Sequence, residues 1–397
     1  MKFWRNFLFF SVFILAFAGC SDDDDGKVVV GDTYVPYHSQ DMTTDDGKVT
    51  QLLKHKVGRG VPVVILGDGF VDKDFQEGKF RNATAAAIDA LFSVHPLKSL
   101  RDYFDVYEVT AVSYNYGYDF QTMTEDPHNF NTAFRVGKYE LIAPDAYTFK
   151  LHLGDQTKMV SYVKKGIDAD RLDDATIVML VNNTSDEGLA TFYTYDKRYS
   201  EIPSGCGMAY VQLMDVRQFD GGAISQTMFA RTLLHEFGHA FAKLADEYAS
   251  EEGRGDLDYA LEEVAQEDLE SERFFLQEMH DCGYCRNVST ESDVAQTCWA
   301  DFSFDNRYHF EKLGCYEGGD YHASGVYRPM QTGIMNDYQL SSYFNVISRA
   351  MIYKRCMRIA YGDSWEFNYE DFVKFDLEKA KAAYQAEQEN HPDIGLR

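Results

Sequence analysis

The stretch LLHEFGHAFAKLADEY at residues 233–248 constrains this chain more than any other. Ala230, Leu233 and Leu234 lead into it, so it reads as a helix running through the middle of a domain. His235 and His239 are four residues apart and share one face of that helix, one turn from each other. Two imidazoles so placed can take neighbouring corners of a zinc tetrahedron. Glu236 is rotated off that face, where it can accept a proton from a water beside the ion without binding the ion itself. An ordinary core helix accounts for the apolar residues and leaves the histidine pair and its glutamate unexplained. Gly238 lets another backbone approach closely, at some cost in helix propensity.

A catalytic zinc takes three protein ligands and keeps a fourth position open. Asp246 follows His239 by seven residues and is nominally on the same face, but a continuous helix would carry it about 10 Å further along the axis. The helix must therefore end near Lys243 and Leu244, and the chain must double back so that Asp246 or Glu247 completes the set. No glycine marks that turn, which asks a residue such as Lys243 to adopt a left-handed conformation.

The rest of the chain supplies a frame for such a helix. PVVILGDGF (62–70) and ATIVMLVNN (175–183) are short apolar runs ended by turn residues, as buried strands are. Residues 75–95 repeat apolar positions at helical spacing, 104–117 alternate and are β-rich, and GMAYVQL (207–213) is short enough for an edge strand. A helix over 222–243 follows. Strand and helix alternate, so the expected class is α/β (α+β) around a mixed sheet. GDGF at 67–70 lacks the spacing of a phosphate loop and reads as a strand exit. The acidic stretch 251–273 reads as a solvated helix, the chain from Cys282 onwards as loop-rich, and 354–359 and 372–388 as helical.

The first residues are of another kind. Lys2 and Arg5 precede FLFFSVFILAFA and then Gly19-Cys20, the layout of an export signal over 1–19 with Cys20 as the residue to be lipidated. Ser21 and four aspartates follow, a solvated tether similar to the acidic tags of surface lipoproteins in some Gram-negative bacteria. Residues 20–60 are then a tether with one strand, and 61–390 the folded domain, divided at 245 and 246. The expected location is the outer membrane or cell surface, with the chain anchored through Cys20. Removing 1–19 takes away two cations and no acid, so the formal charge moves from −26 to −28. A chain that acidic repels phosphate backbones, which excludes nucleic acid as a partner. Six cysteines remain, Cys206, Cys282, Cys285, Cys298, Cys315 and Cys356. An even number outside the cytoplasm points to disulfides, or else to buried thiols. Cys282-Gly-Tyr-Cys285 has no second half to make a zinc knuckle.

HEFGHAFAKLADEY is similar to the active-site stretch of the M64 family, the IgA-peptidase-like metallopeptidases grouped with the metzincins. VVILGDGF resembles that family's first core strand, and CYEGGDYHASGVYRPMQTGIMNDY (315–338) its C-terminal segment. The likeness runs in order over about residues 60 to 360. It implies a metzincin-like zincin, a twisted mixed sheet with an active-site helix and a loop-rich C-terminal subdomain. It also implies Zn2+ on His235, His239 and Asp246, Glu236 as general base, and Met335 in the Met-turn beneath the metal. Asp246 comes one residue later than the usual metzincin ligand, and Ala242 stands where the usual glycine would be, so Glu247 stays in reserve.

What such a site does is hydrolyse peptide bonds. The ion brings a water's pKa towards about 7, Glu236 moves the proton, and Tyr338 or Tyr248 is a candidate donor to the oxyanion or substrate. A serine triad lacks its GxSxG elbow, and no cysteine is set apart as a nucleophile. The rival reading is a surface lipoprotein that binds glycan or protein around a structural or vestigial zinc site. A protein or peptide substrate is the partner expected of the peptidase, and a monomer is compatible with it. The family name carries no substrate to this chain, because subsite pockets lie in loops.

Overall fold

The computed structural model describes residues 27–30, 33–117, 119–121, 131–143, 146–183, 188–192, 202–213, 227–249 and 261–390. The signal over 1–19, Cys20, the acidic run 21–25 and the start of the expected helix at 222–226 lie outside the described residues. The chain divides into two units, Met1–Tyr37 and His38–Arg397. In the first, β1 (Lys27–Val30) and β2 (Thr33–Pro36) pair as an antiparallel hairpin. The second begins with β3 (Val49–Leu53) and β4 (Val61–Asp68) and passes through α1 (Asp72–Gln76), α2 (Lys79–Leu91) and α3 (Leu97–Leu100) to β5 (Phe104–Val109). A separate three-stranded sheet follows, made of β6 (Asp119–Gln121), β7 (Val136–Ala143) and β8 (Ala146–Leu153). After α4 (Gln156–Gly166) come β9 (Thr176–Val181), β10 (Gly188–Phe192), β11 (Gly207–Gln212) and the histidine-bearing α5 (Met228–Ala242). The remainder holds α6 (Leu261–Asp281), α7 (Ala300–Ser303), the hairpin β12 (Tyr316–Gly319) and β13 (His322–Arg328), then α8 (Val346–Tyr361) and α9 (Tyr369–Asn390). Among the described residues no helix is long and apolar enough to cross a membrane.

The main sheet has six strands in the order β10-β11-β9-β4-β5-β3. The four inner strands are parallel, and β3 and β10 close the edges antiparallel. Parallel strands need cover on both faces, and β4 and β9 are apolar almost throughout for that reason. Val61, Val63 and Ile65 of β4, with Val178 and Leu180 of β9, point into a core shared with α2, α5 and α8. Val64 and Leu66, with Ile177, Met179 and Val181, point into a second core shared with α4. The result is a mixed α/β sandwich, and β3 brings residues from the expected tether region into the sheet.

One expectation is corrected. The run at 207–213 is not an edge strand: β11 lies between β9 and β10, and all six of its residues are buried. It is short and small because α5 lies directly on it, and a Cβ at Gly207 would stand 1.9 Å from the carbonyl oxygen of Ala240. Of the two readings of the cysteines the thiols hold: all six of 206–356 are free, and Cys206, Cys285 and Cys356 are buried. The three buried ones cannot meet, because Cys356, Cys206 and Cys285 belong to three different apolar clusters. The acidic helix also runs on past 273 to Asp281, where Leu276 and Met279 pack with Ala245, Val288 and Val326.

Candidate metal centre

Helix α5 starts on a side-chain cap, with the Thr227 hydroxyl accepting from the Ala230 N–H at 3.2 Å. It stops at Ala242, and Lys243 takes the left-handed conformation (φ 58°, ψ 41°) that reversing the chain demands. Lys243 N–H donates to the His239 carbonyl at 3.0 Å, the 5→1 bond of an αL-type closure, and Leu244 N–H reaches back to Gly238 at 3.4 Å. From there the chain returns along the helix end. Cys285 N–H donates to the Lys243 carbonyl at 2.7 Å, and Asn287 clamps Ala245 through both its N–H and its C=O, each at 2.8 Å.

The Lys243 side chain is buried as well, its Nζ donating to the Ala240 carbonyl at 2.7 Å. Burial, with Arg355 nearby, pushes its ammonium down to about 7 from an unfolded value of 10.5. Between those values the unfolded chain holds a proton the folded one lacks, so stability rises with pH above about 7 and is lost as the pH falls back. This contribution should reach about 2–3 kcal/mol between roughly pH 7 and 9. Lys243→Met should abolish it. Urea midpoints of the two metal-free proteins at both pH values measure the difference, and parallel pH profiles would contradict the expectation.

The reversal brings three atoms together. His235 Nε2 and His239 Nε2 are 3.1 Å apart, and Asp246 Oδ1 lies 3.1 Å from the first and 3.0 Å from the second. A tetrahedral ion with bonds of about 2.0–2.1 Å spaces its ligands by roughly 3.3 Å, so the donor set fits such an ion with almost no adjustment. Among the described residues this is the one group of three or more His, Cys, Asp or Glu whose ligating atoms all lie within 4.8 Å of one another.

The hydrogen bonds around it fix which nitrogens are free. His235 Nδ1 meets the Ile334 carbonyl at 2.9 Å and His239 Nδ1 the Leu244 carbonyl at 2.6 Å. A carbonyl can only accept, so both Nδ1 atoms carry hydrogen, and Nε2 is the atom each ring has left to offer an ion. Such a set needs a positive charge among its atoms, which is a proton on His239 when no ion is bound. Burial alone would lower the His239 pKa, but Asp246 beside it lifts it to about 9. Burial likewise opposes ionisation of Asp246, yet His239 and His235 hold its carboxyl well below the usual range.

Glu236 is buried next to this cluster and takes no part in the hydrogen bonds that hold Asp246 and Glu247. Burial raises its pKa, and the two histidines partly oppose that rise. Glu247 is turned away from the cluster. Asn287 donates to it at 3.0 Å, Asn345 donates to both its oxygens at 2.8 and 2.9 Å, and its own N–H donates to the Met335 carbonyl at 2.7 Å. The reserve for Asp246 is thus engaged elsewhere. Met335 is buried, and its sulfur would stand 3.0 Å from a Cβ at Gly238, so the loop carrying it sits directly against the helix.

The two tyrosine candidates separate. Tyr338 lays its ring on His235, centroids 4.7 Å apart. Tyr248 also stacks towards His235, at 6.3 Å, but its hydroxyl donates to Tyr321 at 3.1 Å. Cys20 lies outside the described residues. Sequence reasoning did not single out Asn287, Tyr321 or Asn345: the two asparagines belong to no spaced motif, and Tyr321, although within 315–338, is brought to Asp246 only by the fold.

The family model described as IgA Peptidase M64 matches residues 53–309, more than half of the chain. The match takes in α5, the left-handed turn and Asp246, and ends before β12, β13 and Met335. No curated protein matches the chain.

Proposed function

The chain belongs to the M64 peptidase family, and from that premise we propose that it is an exported, zinc-dependent endopeptidase acting on extracellular proteins. The observation that carries the zinc reading is the convergence of His235, His239 and Asp246 on one point. Two imidazoles and one carboxylate at tetrahedral spacing suit Zn2+. Bound there, the ion would supply a Lewis acid that acidifies water and polarises a peptide carbonyl.

The chain's own groups do the rest. Ile334 and Leu244, through their carbonyls, hold the imidazoles in the tautomer that leaves Nε2 free. Glu236 takes the proton of the attacking water and gives it to the departing amine, and its raised pKa suits both halves of that task. Tyr338, whose ring packs on His235, is our candidate to donate to the carbonyl oxygen as charge grows on it. Met335, buried against Gly238, takes the Met-turn role in a metzincin-type fold. The signal over 1–19 and Cys20 support export and lipid anchoring at the outer membrane of a Gram-negative cell.

The test is a casein or mixed-peptide digest before and after dialysis against a strong chelator. Hydrolysis should vanish with the metal and return with stoichiometric zinc. Hydrolysis that persists in the metal-free protein, or zinc-loaded protein that cleaves nothing in a proteome-derived peptide library, would overturn the reading.

A further inference from the structure

We propose that Tyr321, at the tip of the β12–β13 hairpin, is a positioning residue that orients Asp246 and thereby sets the metal affinity of the site. The inference rests on the reading of His235, His239 and Asp246 as ligands, and it concerns a part of the chain beyond the residues that the family model matches.

Asp246 uses its two oxygens differently. Oδ1 faces both imidazoles, while Oδ2 accepts a hydrogen bond of 2.6 Å from the Tyr321 hydroxyl. An ionised carboxylate can only accept, so the phenol must donate here, and its own lone pair is met by the Tyr248 hydroxyl at 3.1 Å. The result is a directed chain, Tyr248 to Tyr321 to Asp246, that ends on the oxygen not facing the histidines. One oxygen is thus tied down and the other presented alone, which favours a single metal–oxygen bond at a fixed angle. Outer hydrogen bonds of this kind commonly orient a ligand and tune its hold on the ion.

The backbone around Tyr321 shows that this placement is enforced. Asp320 and Tyr321 form the two-residue link between β12 and β13, and both have positive φ, 45° and 68°. Such a link is best filled by Asn-Gly, and a tyrosine in its second position is strained. Two bonds hold the strained tip against the segment that carries Asp246 and Tyr248. Asp320 N–H donates to the Asp246 carbonyl at 2.9 Å, and Tyr321 N–H donates to the Tyr248 carbonyl at 3.1 Å. A glycine would make the turn more easily and would bring no hydroxyl. The chain instead keeps a bulky ring in an unfavourable seat, and the end of that ring is on Asp246.

The experiment uses the full chain, loaded with zinc or Co2+, and compares wild type with Tyr321→Phe and with the control Tyr327→Phe on the same hairpin. Zinc affinity is read by competition with a chromophoric chelator, and ligand geometry by the visible absorption of the Co2+ form. Tyr321→Phe should bind zinc about 10- to 100-fold more weakly and shift the Co2+ bands, with its metal-free melting curve unchanged, while Tyr327→Phe behaves as wild type. Unchanged affinity and unchanged bands in a folded Tyr321→Phe protein would overturn the inference. Should that variant fail to fold, Tyr321→Gly, which suits the positive φ of the turn and also lacks the hydroxyl, takes its place, and wild-type affinity there would overturn the inference equally. A wild-type protein that takes up no stoichiometric metal would instead defeat the ligand assignment itself, and this is seen before any variant is made.

Discussion

Glu236→Ala is expected to bind zinc at wild-type stoichiometry and to hydrolyse peptides about 10²- to 10⁴-fold more slowly. Two features of the geometry require both halves of that result. Glu236 sits one residue from His235 on α5, so a proton acceptor is placed beside the cluster, but the cluster itself is made by Nε2, Nε2 and Oδ1 of other residues. Glu236 is also absent from the bonds that hold Asp246 and Glu247, so its removal leaves Tyr321, Asn287 and Asn345 in place. Because burial raises its pKa, an ionised Glu236 is a cost to the folded state near neutral pH. The alanine variant should therefore melt no lower than wild type. His235→Ala differs on every count, since it should lose metal and turnover together. Metal content and kcat/KM on the same preparations separate the two patterns. Turnover retained by metal-loaded Glu236→Ala would refute the role of the base.

What could be read ahead of the structure follows from what spacing encodes. The pair His235 and His239 is local, since four residues on a helix fix a face. The turn at Lys243 was legible for a stricter reason. An acid seven residues past His239 is too far away on a continuous helix, so the chain had to reverse there, and with no glycine present a side-chain-bearing residue had to take the left-handed seat. The runs at 62–70 and 175–183 were legible as strands because burial on both faces removes almost every polar position. Spacing could not show which of Asp246 and Glu247 faces the histidines. That choice is made by Asn287 and Asn345, brought from 40 and 98 residues away. Nor could it place β11, whose neighbours depend on where β10 returns. The choice between disulfides and thiols stayed open because the number of cysteines says nothing of which apolar cluster each buried one joins.

Arg349→Met should be the most damaging single change outside the metal centre, destabilising the metal-free protein by about 3–5 kcal/mol. Arg349 is fully buried on α8 between two fully buried acids. Its Nε and Nη2 donate to both oxygens of Asp376 at 2.7 and 2.8 Å, Nη2 donates to Glu311 at 2.7 Å, and Nη1 donates to Tyr343 and to the Phe344 carbonyl. Burial works against ionisation of both acids, and Arg349 is the strongest group opposing it for each. Without the guanidinium, two carboxylates remain in the core with only neutral donors and His95, which lies 2.8 Å from Asp376. Burial keeps the His95 pKa low while Arg349 is present. In the variant His95 becomes the cation beside Asp376, its pKa rises above the ordinary 6.5, and part of the lost stability should return as the pH falls through that raised value, being fully present below about 6.5. Adding Glu311→Gln and Asp376→Asn should also recover part of the loss by removing the stranded charges. The damage should reach the metal centre, because Phe344 precedes Asn345, which caps α8 through Ser348 N–H and donates to Glu247 beside Asp246. Loosening that turn frees Glu247, so zinc should bind Arg349→Met more weakly and raise its urea midpoint by less than it raises that of wild type. An equal shift in both proteins would show that the buried ion pair supports the fold without reaching the site.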